Sequence, residues 1–245
     1  PWAGLTGLPE GFDDDLDNDT TYTAGDGLTL TGNEFNVVFG GSGTAATASH
    51  SDHTHTTYWL TNGNAQTDPE VNFIGTTDAV TLTLRVNNAP VLRLVPNDTS
   101  PNLIGGYSAN SVAAGVYAAT IGGGGSSSFS NQVMDNYGVV GGGRGNTAGG
   151  SGSTVSGGGS NIAGGASSTV GGGISNTASS DYSTVGGGSS NTASSDYSTV
   201  GGGYNHYARG NFSTVGGGNF NIADGASSTV GGGSYNEAGG TYSTV

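Results

Sequence analysis

The sequence predicts an all-β chain, built mainly as a parallel β-solenoid with 15-residue coils and preceded by a small β-hairpin-rich connector. Three observations carry that prediction. Val140, Val155, Val170, Val185, Val200, Val215, Val230 and Val245 recur every 15 residues, too short a period for a helix–turn–helix unit but one that suits a single solenoid turn. Glycine supplies 50 of the 245 residues, about three times its usual ~7% share, without the every-third-residue spacing of collagen. Hydrophobic residues reach 32% and charged residues 9%. The first figure leaves too few large apolar side chains for a broad enzyme core, and the second is too low for a disordered chain.

Taken in chain order, residues 1–103 form an acidic β-rich shaft or connector and residues 104–245 a Gly-rich repeat domain. The connector carries 13 of the 18 acids and two of the four Arg. Leu28 and Leu30 alternate before Gly32-Asn33, and Phe35 and Val37 alternate after it, which predicts a hairpin. A second hairpin runs through Val80, Leu82, Leu84 and Val86, turns at Asn87-Asn88 and returns through Leu92 and Leu94. Arg85 and Arg93 are expected to pair with acids, and Trp59, Phe73 and Ile74 to cap this region.

In the repeat, the Val column (Val155, Val170, Val185, Val200, Val215, Val230) is preceded by Ser-Thr and usually followed by three glycines. Six residues after each Val comes Asn (Asn146, Asn161, Asn176, Asn191, Asn221, Asn236), with His206 the exception, and two residues later comes Ala. Ile104 and Ile121 extend the Val phase upstream at spacings of 17 and 19, so bulges are expected at Ala118–Thr120 and Gly125–Ser130. The ten phase positions, stacked at ~4.8 Å, make a rod of roughly 45 Å. Val and Ala suit a narrow core, and Asn can bond the Asn above and below it. So narrow a core, set against the entropy of ordering Gly-rich coils, predicts an oligomer.

Several functional classes are excluded or disfavoured. No cysteine is present, which removes disulfides, thiolate metal sites and a Cys nucleophile. A net charge of −14 repels nucleic acid and anionic lipid. No apolar run approaches the ~20 residues of a membrane-spanning helix. The chain opens without Met and stops inside a repeat, as expected of part of a longer protein. No Ser/His/Asp spacing is recognisable, so no enzyme is expected. Asp13–Asp19 lacks the Gly and Glu of an EF-hand loop and reads as a solvated acidic turn.

The unit Ser-Thr-Val-Gly-Gly-Gly-x-x-Asn-x-Ala resembles the head repeat of trimeric autotransporter adhesins over residues 104–245, though it is one residue longer and carries Gly where that repeat has Ile and Asn where it has Ala. The stretch from Tyr22 to Val37 is similar to shaft segments of phage-type trimeric tail fibres. These resemblances imply a left-handed β-roll, a homotrimer and an extracellular attachment role. The chain is then expected to be a structural and receptor-binding segment of a tail fibre of a phage or contractile injection system. A membrane-anchored adhesin on a cell surface is the alternative. Its partners would be further copies of itself and a cell-surface receptor or glycan.

Two sets of side chains are candidates for chemistry. His53 and His55, two apart on an extended strand, face the same way, and three copies around a threefold axis would offer six imidazoles to Fe, Ni or Zn. The aromatics Tyr137, Tyr182, Tyr197, Phe212 and Tyr242 stand three residues before the Val phase. Tyr204, His206, Tyr207, Phe220 and Tyr235 form a second candidate binding surface near the Asn side. Such rings can bind sugars or pack between chains, and the packing role is preferred. A further class is ice binding, through the Thr column Thr154, Thr169, Thr184, Thr199, Thr214, Thr229 and Thr244, although one Thr per coil falls short of the usual Thr-x-Thr.

Overall fold

The structure, a computed structural model, describes residues 28–31, 34–37, 63, 65, 67, 68, 70 and 72–245. The chain divides into two compact units, Pro1–Ile74 and Gly75–Val245. In the first, β1 (Leu28–Thr31) and β2 (Glu34–Val37) pair antiparallel with Leu28 opposite Val37 and Leu30 opposite Phe35, the hairpin the alternation predicted. His53, His55, Trp59 and Asp13–Asp19 lie outside the described residues.

The second unit opens with β3 (Leu82–Val86) and β4 (Ala89–Val95), in which Leu82 faces Leu94 and Leu84 faces Leu92. Asn87 and Asn88 join them at φ +47° and +59°, both left-handed as a two-residue type I′ turn requires. The strand β4 then pairs antiparallel with β5 (Asn102–Gly105), which pairs parallel with Thr120–Ile121 and begins the solenoid. The hairpin therefore belongs to the repeat unit as its end cap. The compact units divide at 74/75, upstream of the change in composition at residue 103, because the hairpin at 82–95, with two Arg and no acid, supplies the strand that covers an open sheet edge. Among the described residues the two arginines of this hairpin meet neutral oxygens. Arg85 donates to the Asn88 carbonyl and amide oxygens. Arg93 donates to the Asn110 carbonyl at 2.6 Å. Phe73 and Ile74 are exposed, not a cap.

Beyond the cap, each 15-residue coil contributes one short strand to each of two parallel sheets. Thr-Val strands up to Thr229–Val230 join β3, β4 and β5 in an 11-stranded sheet, and a nine-stranded sheet runs from β6 (Ser111–Val112) to Glu237–Ala238. Register advances by one coil, with Val185 against Val200 and Ala178 against Ala193. Val155, Val170, Val185, Val200, Val215 and Val230 are wholly buried, as is the Ala column facing them. The longer coils keep this register by extruding residues. One insertion lies at Gly125–Ser130 as expected. The other lies at Ala113–Tyr117, just upstream of the expected Ala118–Thr120, because Thr120 is needed in its strand and Ala118 already occupies the ordinary left-handed corner (φ +56°). Among the described residues no helix is long and apolar enough to cross a membrane.

Each coil turns three left-handed corners. One is the third glycine after Val; the others fall two residues later and three residues before the next Val. At the last two the residue need not be Gly: Ser190, Asn205, Phe220 and Tyr235 occupy one column and Ser167, Tyr182, Tyr197 and Phe212 the other, all near φ +55°. Most backbone N–H groups donate forward to the next coil, as Gly186 does to Val200. Corner residues reverse that direction: Ser190 donates back to Ile174, and Tyr197 back to Asp181. The reversed bond offsets the ~1 kcal/mol strain of a left-handed L-residue. Ser190→Gly should therefore raise stability by up to about 1 kcal/mol in denaturant titrations, although Gly normally weakens a β-rich segment.

Candidate functional site

The interior is a polar ladder. Asn191 donates its own N–H to Asn176 Oδ1 at 3.0 Å, while its Oδ1 accepts the N–H of His206 at 3.0 Å. Its Nδ2 donates to the carbonyls of Gly187 and Gly203, both at 2.9 Å. Asn161, Asn176 and Asn221 repeat the pattern, and all are wholly buried. Each Asn bonds the Asn above and below it, as the sequence suggested, and each of these bonds runs from a backbone N–H to an Oδ1, because a residue rising by one strand spacing brings its N–H, rather than its amide, to the Oδ1 below. A buried amide that makes three bonds is fully paired. The Asn column is therefore structural, and it leaves nothing free for a ligand.

His206 takes the Asn place and is equally buried, which removes it from the candidate binding surface. Its Nδ1 accepts the Asn221 N–H at 3.0 Å, placing the ring proton on Nε2. That Nε2 has no partner, whereas Asn Nδ2 at this level would reach two glycine carbonyls. Gly203 at this level has a φ of +104°, against +84° at Gly173 and Gly188. His206→Asn should restore both amide bonds and raise stability by about 1–2 kcal/mol, read as a higher melting temperature.

The outer face carries aromatic columns. Tyr182, Tyr197 and Phe212 stack in one continuous pile, with ring centroids 4.8 and 4.9 Å apart and planes within 7°. On the Asn side Phe220 and Tyr235 stack at 4.9 Å, and Tyr204 meets Phe220 edge-on at 5.2 Å. Arg209 lies 4.4 Å from the Tyr207 ring centroid and also pairs with Asp224 at 3.4 Å, so its charge is engaged twice. Tyr207 in turn donates to Asn205 Oδ1. At the foot of the outer column Tyr117 meets Tyr137 edge-on, and the neighbouring Tyr137 phenol raises the Tyr117 phenol above its ordinary pKa. Rings stacked within a pile cover one another's faces and present edges outward. Inner members such as Tyr197 are therefore poor sugar platforms, a point that column spacing alone did not reveal.

Thr199 is half-buried, and one Thr per coil stands beside Gly on the outer side of its sheet, alternating with the inward Val. Among the described residues no group of three or more His, Asp or Glu is placed to hold a metal ion. No protein-family model matches the chain, and no curated protein matches it.

Proposed function

We propose that this chain is a structural and receptor-binding segment of a homotrimeric extracellular fibre, of the kind that attaches a phage or an injection particle to its target cell. One observation supports this most directly: the inward columns keep nearly one residue type from coil to coil, while the outward columns at the corners and at the isolated bridges change from coil to coil. A ladder of Val, Ala and Asn gives a rod whose length is set by repeat number. Outward positions such as Ser189, Tyr204 and Asn219 differ from coil to coil while keeping the same parallel backbone bridging. Many weak contacts on such a rod gain strength through multivalency. The role is non-catalytic. In such a trimer His53 and His55 from three chains would hold one Fe, Ni or Zn ion, and elemental analysis at one metal per three chains tests that part.

Sedimentation equilibrium tests the assembly. A mass three times 23.9 kDa is expected, and a monomer at all concentrations would remove the trimer. Attachment is tested separately, by the binding of labelled chain to a panel of bacterial cells.

A further inference from the structure

The outer aromatic pile stops at Phe212, yet its column continues. Ser227 occupies the next level at φ +55° and Tyr242 the one above at +59°, the same left-handed corner that places Tyr197 and Phe212 at +57° and +60°. Adjacent rings in the pile are one coil step apart, at 4.9 Å. Phe212 and Tyr242 are two steps apart, roughly 9.6 Å. A single ring-sized level is therefore vacant between these two aromatic residues, and Phe212 below it is 59% exposed against 48% for Tyr197 inside the pile. The column one residue earlier is small at the same level, Ala226 standing between Asn211 and Thr241. The vacancy is thus two residues wide, floored by Ala226 and Ser227.

We infer that this vacancy is a seat for one uncharged pyranose ring of a glycan. An aromatic pile offers its faces only at its ends, and the upper face of Phe212 is such an end, available to the apolar C–H face of a sugar. The polar groups at these levels are Asn211, Ser227 and Thr241: an amide and two hydroxyls, which pair with sugar hydroxyls and would serve no purpose for a purely apolar ring. Charge decides against acidic sugars. Asp196 and Asp224 are the nearby acids in sequence register, Arg209 is already engaged by Asp224 and Tyr207, and the chain carries −14. The other gap in the column, from Tyr137 to Tyr182 across Gly152 and Ser167, spans three steps and cannot close on one ring from both sides. The Ser227 seat deepens the attachment proposal and rests on it.

Ser227→Tyr provides the test. It fills the seat with a ring at a corner that already accepts Tyr, so the fold is retained or stabilised. The full chain is applied to an array of neutral, amino and sialylated oligosaccharides, with N-acetyltryptophanamide titrated by NMR as a planar probe. Expected are signals for neutral glycans that fall at least tenfold in Ser227→Tyr and in Phe212→Ala and persist in Tyr204→Ala, with the Ser227→Tyr melting temperature unchanged or raised. A preference for sialylated glycans, undiminished binding in Ser227→Tyr, or shifts with tryptophanamide alone would each overturn the assignment. Cell binding that survives Ser227→Tyr would sink the seat and leave attachment standing; loss of both glycan and cell binding by the parent chain would sink both.

Discussion

Gly188→Ala is expected to destabilise the solenoid by about 3 kcal/mol or more, while Gly187→Ala, one residue earlier, changes stability by less than about 1 kcal/mol. Gly188 is the third glycine of its coil, at φ +84°. A methyl group there would point into the next coil, against the Gly203 carbonyl, with the Gly203 nitrogen at 2.7 Å and Asn191 Nδ2 at 2.8 Å. The Gly203 carbonyl accepts from the Ser189 N–H and from Asn191 Nδ2, so it cannot give way without breaking those bonds. A methyl group on Gly187 meets no atom within 4 Å, and its backbone is not left-handed. Guanidinium unfolding of the two variants beside the parent checks the pair. Equal losses would show that the coils are not stacked as described.

Asn191→Ala should cost about 3 kcal/mol. It removes one acceptor and two donors, leaving the His206 N–H buried without its partner and opening a void in a close-packed column. Gly203 retains the Ser189 N–H as a donor, whereas the Gly187 carbonyl loses its Asn partner. Asn191→His should cost less than Ala, since His206 shows that an imidazole Nδ1 can accept the next N–H. Asn191→Asp should cost more, because a buried carboxylate would face the Gly187 and Gly203 carbonyls. Because a repeat array unfolds by neighbouring units, hydrogen exchange at Thr192 and His206 locates the damage where a global melting curve averages it.

How far the sequence spoke depended on whether a feature repeats. The 15-residue recurrence of Val, Asn and Ala placed the strands of the regular coils from Val140 onward, because only stacked identical coils bring identical residues together. The Asn87-Asn88 turn was equally legible, since few residue pairs adopt two left-handed conformations in succession. The extra residues of the first coil were placed one segment late, because Ala118 and Thr120 look like insertion but occupy regular corner and strand positions. At the candidate site, the aromatic columns could be counted from the sequence. The burial of His206 and the closed faces of the Tyr197 pile could not, since both depend on which way a side chain leaves the coil.

The sequence by itself determined the coil length, the inward columns and the all-β class, because periodicity is a one-dimensional property and stacking converts it directly into register. Only the tertiary structure decided that the hairpin of β3 and β4 caps the rod, that each Asn amide bonds the neighbouring backbone rather than the neighbouring amide, and that the third glycine is indispensable where the second is free. Each of these turns on the direction of a single bond vector at a corner: whether a Cβ, an N–H or an amide points into the neighbouring coil or away from it. A list of residues carries no directions, and the left-handed corners that set them are shared by Gly, Ser, Asn, Tyr and Phe alike.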